Sequence, residues 1–276
     1  MKNKVIHLGI DWEDFSLIFY DKGLIEDFKI FSNEFINETY YLLNFLNKES
    51  IKCTFFCNAR TAEIYPELIR EINKNGHQIG SHGYLHVRRD ELNDKDFLQD
   101  CIKSKTILEN IINKDIEGYR SPYLSFTQEN YIKSLKLLYQ AGYKFDSSVT
   151  FSFFKKIKYQ HPKEILKIQE FISIKKLFSI DILGNGINLA GGSIWRVVPS
   201  KIIKFLVKFS KSKNSLSLYF HPYEFGSRLN PQRALGKEAS KLKLFLCFLR
   251  WNLGRKKIEK LISRLNNLNS VKFNIY

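Results

Sequence analysis

The sequence predicts an α/β barrel. Three observations carry the prediction: strand-like runs alternate with amphipathic helical ones, glycines punctuate the joins, and chemistry-bearing polar residues fall at the C-terminal ends of the strands. At 276 residues with 44% hydrophobic content, the chain can bury one large core.

The strand-like runs are VIHLGID (5–11), CTFFCN (53–58), HQIGSH (77–82), EGYRSP (117–122), KFDSSV (144–149), ILKIQEF (165–171) and LSLYFH (216–221). Helical periodicity occupies residues near 33–48, 62–75, 92–113, 127–141 and 200–212. Gly76, Gly118 and Gly142 mark places where a helix gives way to a strand. No linker, low-complexity segment or repeat interrupts this pattern, which predicts a single domain over 1–276 with a basic helical segment at 235–266.

The formal charge of +16 is unevenly placed. Residues 201–276 carry 17 Lys and Arg against Glu224, Glu238 and Glu259, a net of +14, while the first 200 residues carry +2. Such asymmetry reads either as a surface for an anionic partner or as a solvated helix face. From Lys241 to Lys260, the cations Lys241, Lys243, Arg250, Arg255, Lys256, Lys257 and Lys260 surround the apolar LFLCFL. That arrangement fits an interfacial helix at an anionic membrane, and equally a helix packed on the barrel. No run reaches the ~18 apolar residues of a membrane span. The N-terminal VIHLGI is too short for a targeting signal and runs directly into acidic residues. Four cysteines without framework spacing fit a reducing compartment, so the expected location is the cytoplasm, with the inner membrane face as the site for any peripheral contact.

Asp11, Glu13 and Asp14 close the first strand, His82 and His86 another, Arg120 a third, Asp146 a fourth and His221 a late one. In a barrel these ends converge on one mouth, where active sites are built. Histidines four apart can point at one ion from a helical turn, but two nitrogens leave a metal site incomplete. A carboxylate at the end of the first strand supplies a third ligand and leaves room for water and substrate. HxxxH alone is weak, because most such pairs are ordinary surface or core histidines. His77, inside its strand, reads as structural.

In order and spacing, GIDWEDF, SHGYLH, GYRSPY, KFDSS and LYFHPYEF resemble the five motifs of polysaccharide deacetylases of the NodB-homology type, carbohydrate esterase family 4. EFISI, GGSIWRVVP and HPYEF further resemble the branch found in bacterial exopolysaccharide and surface-glycan clusters. The resemblance implies a distorted (β/α) barrel and hydrolysis of an N-acetyl, less often O-acetyl, group from a sugar. It implies a divalent metal, zinc by ligand type, held by His82, His86 and one of Glu13 or Asp14. It makes Asp11 the general base, Arg120 the group holding that base, His221 the general acid and Asp146 its orienting partner. Pro122, Tyr123, Trp195 and Arg196 are the residues it suggests for contact with the sugar.

Two departures bear on these roles. The family commonly has adjacent aspartates, whereas this chain has Asp-Trp-Glu-Asp. Strand alternation puts Glu13 on the side of Asp11, but a turn after Trp12 would bring Asp14 forward instead. GGSIWR at 191–196 also departs from the branch, which affects the substrate pocket more than the chemistry.

Three functions compete at this level. The first is metal-dependent deacetylation of a surface glycan or its lipid-linked precursor. The second is C–N hydrolysis of a small cyclic amide on the same fold. The third is a non-catalytic basic module for anionic lipid or nucleic acid, which explains the charge but not the ordered Asp, His, Arg, Asp, His series. The expected partners are an acetylated sugar and an anionic membrane surface, without nucleic acid.

Overall fold

β1 (Lys4–Trp12) lies at the centre of the sheet, and every residue from Leu8 to Trp12 is buried. The structure is a computed structural model and describes residues 4–15, 17, 32–182, 185–209, 215–226, 228, 230 and 240–276. After β1 come α1 (Ser32–Lys48), β2 (Thr54–Cys57), α2 (Ala59–Ile64), α3 (Pro66–Lys74) and β3 (Gln78–Ser81). They are followed by α4 (Asp94–Ile112), β4 (Gly118–Tyr119), α5 (Tyr131–Gln140) and β5 (Phe145–Asp146). Next are α6 (Phe151–Gln160), α7 (Pro162–Ile168), β6 (Ser173–Ile174), β7 (Ser179–Ile182) and β8 (Asn185–Asn188). The last elements are α8 (Ser193–Val197), α9 (Ser200–Phe209), β9 (Ser215–Phe220), α10 (Lys241–Asn252), α11 (Arg255–Asn266) and β10 (Val271–Asn274).

The main sheet is parallel throughout, in the order β10-β1-β2-β3-β4-β5-β6, with β9 also paired to β1. Val5 to Ile10 run in register with Ser215 to Phe220 of β9, and Gly9 to Trp12 with Thr54 to Cys57 of β2. Leu177 bridges both Thr150 and Ser217, joining the β5–β6 side to β9. The sheet therefore curls into a distorted barrel, and its parallel strands all deliver their C-terminal ends to one mouth.

The helices cover the outside because their apolar faces repeat at helical spacing. On α11, Ile258, Leu261, Ile262 and Leu265 are all buried. Asn58 starts α2 by accepting a hydrogen bond from the Thr61 N–H, and Asn93 starts α4 in the same way through Asp96. Trp12 sits fully inside and donates its indole N–H to Thr39 Oγ1 at 3.1 Å, tying β1 to α1.

Several sequence expectations change. ILKIQEF is not a strand: residues 162–168 form α7, with Pro162 at its start and Ile165 and Ile168 buried. The β-prone isoleucines mislead here, whereas proline at the first helical position is the signal that mattered. The strand in this place is the shorter β6. The expected helix at 62–75 is two helices, broken where Pro66 begins the second. Residues 210–212 of the expected helix at 200–212, and 235–239 of the basic segment, lie outside the described residues. The rest of that segment is two helices, divided at Gly254, whose φ of +74° is the left-handed conformation glycine adopts at no steric cost.

Candidate active site

His82 follows β3 directly, and the chain then loops rather than forming the helical turn expected for HxxxH. Gly83 (φ +72°) and His86 (φ +59°) both adopt left-handed backbone, so the loop doubles back and brings the second imidazole beside the first. Their ring centroids are 5.3 Å apart. The buried Asp100 carboxylate secures this loop, accepting from the Tyr84 N–H at 2.9 Å and the Leu85 N–H at 2.8 Å. Asn58 donates to the Tyr84 carbonyl at 3.0 Å from the other side.

The chain leaves β1 after Trp12, and the Glu13 N–H turns back to the Asp11 carbonyl at 3.1 Å. Glu13 nonetheless faces the histidines. Its Oε2 is 3.4 Å from His82 Nε2 and in direct contact with His86 Nε2. Glu13, His82 and His86, all buried, form a donor group whose ligand atoms lie within 4.8 Å of one another. Among the described residues this is the group that could hold a metal, and Asp14, buried beside it, is outside the group.

The donor set fits a cation. His82 Nδ1 lies 2.8 Å from the Arg120 carbonyl, which can only accept, so Nδ1 donates there and Nε2 is the ring atom left to face Glu13 and a cation. Two imidazole nitrogens and a carboxylate oxygen, buried and converging within 4.8 Å, are the donor types and spacing that a divalent cation takes. Burial alone would raise the Glu13 pKa, but the His86 charge and the hydrogen bonds of both histidines hold it well below the usual carboxylate range.

Asp11 lies beside this group on β1. The fully buried Arg120 donates to Asp11 Oδ1 at 2.6 Å, to the Ser147 carbonyl at 3.0 Å and to Tyr276 Oη at 2.9 Å. A guanidinium so fixed orients Asp11. Room for it depends on Gly9, where a Cβ would stand 2.5 Å from Arg120 Nη1.

His221, just after β9, completes the site, with Nε2 at 3.6 Å from Glu13 Oε1. Its partner is Glu224, not Asp146: His221 Nδ1 is 3.1 Å from Glu224 Oε2. Asp146 instead accepts from the Ser148 hydroxyl and is fully buried. Burial raises its pKa to about 7. FDSS places Asp146 at the end of the right strand, but its side chain is fully buried and is not part of the cavity wall.

Asp11, Glu13, His82, His86 and His221 open onto one cavity of about 230 Å³, whose wall also contains Tyr123, Arg196, Glu224 and Trp251. Tyr123 leans on His86, with ring centroids 4.9 Å apart. Pro122 is buried, does not line the cavity, and starts the short turn that sets Tyr123. Trp195 is a correction. It is fully buried against Phe220 and donates to the Leu189 carbonyl at 3.0 Å, so it belongs to the core and cannot contact a sugar. Arg196 reaches the cavity wall, where its Nε is 3.7 Å from Glu224 Oε1. Sequence reasoning missed Glu224, Asp100, Gly9 and Tyr276. Glu224 had a signal, since it lies three residues after His221 in HPYE.

The model of the family described as polysaccharide deacetylase matches residues 18–145, a span that includes His82, His86 and Arg120. Over that span the chain is similar to the polysaccharide deacetylases. Among curated relatives, a peptidoglycan-N-acetylglucosamine deacetylase of Bacillus cereus is 30% identical over 82 residues, 30% of each chain. A peptidoglycan deacetylase of Helicobacter pylori is 27% identical over 108 residues, 39% of this chain and 36% of the relative. The matches thus span about a third of these relatives. A family 4 carbohydrate esterase from Streptomyces lividans, solved with acetate, superposes with a TM-score of 0.51 at 12% identity, covering 99% of this chain and 93% of that one. At that identity the likeness speaks for the fold. The family match starts after Asp11 and Glu13 and stops before His221 and Glu224, so those residues join the site through geometry alone.

Proposed function

We propose that the chain is a metal-dependent hydrolase that removes the acetyl group from an N-acetylated sugar of a bacterial surface glycan or its lipid-linked precursor. The observation that carries this is the convergence of three devices on one cavity: an Arg-held carboxylate, a Glu-His-His ligand group and a Glu-paired histidine. A basic binding module would need none of them buried and aligned in this way.

Glu13, His82 and His86 would hold a divalent cation, zinc by ligand type, which when bound polarises the acetyl carbonyl and makes water more acidic. Asp11, paired with and aimed by Arg120, takes the proton from the attacking water. His221, with Nδ1–H engaged by Glu224, presents Nε2 to protonate the departing amine. Tyr123, Arg196 and Trp251 bound the space where the sugar would sit.

The test is release of free acetate from acetylated oligosaccharides and lipid-linked acetylated sugars by purified protein, with metal content measured in parallel. Asp11→Asn should keep its metal and lose turnover. His82→Ala and His86→Ala should lose both while the fold survives. Stoichiometric metal retained by both histidine variants, or acetate released equally by Asp11→Asn, would overturn the reading.

A further inference from the structure

The helix α10 turns its apolar stripe outward. Leu242, Phe245, Leu246 and Leu249 fall at i, i+3, i+4 and i+7, and they are 66, 57, 55 and 40% exposed. Leu244, Phe248 and Trp251 lie on the opposite side and are half-buried, with Trp251 in the cavity wall. An ordinary surface helix has the reverse arrangement.

Leu253, 61% exposed, extends the stripe past the end of α10. At Gly254 the backbone comes so close to the Arg196 carbonyl that a Cβ would lie 2.3 Å from that oxygen. Val197, next to Arg196, is also exposed. The stripe therefore ends beside two residues of the cavity wall, Arg196 and Trp251.

Charge narrows what can cover it. No Asp or Glu occurs between Glu238 and Glu259, and the exposed Lys241 and Lys243 flank the stripe in the first turn of α10. The 12-residue helix is ~18 Å long, well short of the ~30 Å hydrocarbon core. Among the described residues no helix is long and apolar enough to cross a membrane. An apolar stripe edged with lysines on so short a helix has the composition of one lying in a lipid interface.

We propose that α10 is an interfacial anchor that seats the mouth of the cavity against an anionic lipid bilayer. A second copy of the chain fits this surface less well, because pairing two stripes would set one strongly cationic C-terminal quarter against another. An anionic headgroup layer accepts the leucines and phenylalanine below it and the lysines at its surface. The binding stands apart from the cavity's chemistry. Its consequence, a sugar presented on a lipid phosphate at the membrane surface, rests on the deacetylase reading.

The experiment is co-sedimentation of the full chain with vesicles of phosphatidylcholine alone and of phosphatidylcholine mixed with phosphatidylglycerol, alongside sedimentation velocity without vesicles. Binding should be roughly tenfold or more stronger to the anionic vesicles and should weaken with added salt. Phe245→Glu with Leu249→Glu should abolish binding with the circular dichroism unchanged, because both side chains are exposed. Lys241→Glu with Lys243→Glu should remove the preference for anionic lipid. Arg255 and Lys257 are unsuited to this test, since both donate to backbone carbonyls, Arg255 to Phe225 and Lys257 to Arg196 and Val198. Equal partitioning to both vesicles, or none to either at low salt, overturns the proposal. So does self-association that Phe245→Glu abolishes in a protein that binds no vesicles.

Discussion

Glu224 holds His221 twice: its Oε2 accepts from the His221 backbone N–H at 3.0 Å and lies 3.1 Å from the ring Nδ1. Arg196 stands 3.7 Å from the other carboxylate oxygen. Burial alone would lower the imidazole pKa, but the Glu224 hydrogen bond and charge, with Glu13 and Asp11 behind them, raise it. The three-residue turn from Pro222 to Glu224, which His221 caps, thus sets the imidazole and the carboxylate that orients it from one stretch of chain.

Glu224→Gln should therefore lower the His221 pKa. A general acid works only while protonated, so the alkaline limb of the pH–rate profile should move to lower pH, and the activity lost should grow as pH rises. Metal content should not change. An Asp146→Asn enzyme should leave that limb in place, because Asp146 touches Ser148 rather than His221. A limb that moves with Asp146→Asn and not with Glu224→Gln would reverse this assignment.

The barrel was legible because its periodicity is strong where its strands are long: β1, β2, β3 and β9 all fall within the runs expected of them or extend them by at most one residue at an end. β4, β5 and β6 are only two residues each, too short to carry a period. The antiparallel β7–β8 pair was missed entirely. At the site, residue types and chain order pointed to Asp11, His82, His86, Arg120 and His221. The partner of His221 did not follow from order, because a carboxylate three residues away in a tight turn reaches Nδ1 more directly than one on another strand. Glu13 faces the histidines even though the strand alternation invoked for it ends at Trp12, and the reversed chain direction after that residue is a tertiary fact. Trp195 failed as a sugar contact for the opposite reason: a motif tryptophan is large and apolar, and here the core claimed it.

Gly9→Ala tests whether Asp11 depends on the placement of Arg120. The added methyl would overlap the guanidinium at 2.5 Å and push it away from Asp11. Misplacing a catalytic group by about 1 Å costs on the order of 10²-fold, so kcat should fall by that order while metal binding is retained. Unchanged kcat in a folded Gly9→Ala protein would show that Asp11 is held by other means.

Asp100 supports the ligand loop through the backbone N–H groups of Tyr84 and Leu85. Removing it frees a loop that already contains left-handed residues at Gly83 and His86. Asp100→Ala should weaken metal affinity roughly 10–100-fold, as loss of a supporting group does, without eliminating binding. Metal titration of the apoprotein gives the ratio directly, and affinity equal to the parent protein would assign the loop's order to Asn58 instead.

Asp146 offers a stability test apart from catalysis. Its carboxyl is fully buried, and burial raises its pKa from an ordinary value of 3.8 to about 7. Well below 3.8 the group is neutral folded and unfolded, and its favourable contribution is fully present. Between there and about pH 7 the unfolded chain ionises while the folded one does not, so stability is lost as pH rises across that window. Above it the penalty is complete, on the order of a few kcal/mol for a shift of this size. Asp146→Asn stays neutral throughout and should escape the loss. Denaturant midpoints should show the variant close to the parent protein near pH 4 and distinctly more stable near pH 8. A difference between the two that does not change with pH would mean that Asp146 ionises in the folded protein as readily as in the unfolded chain.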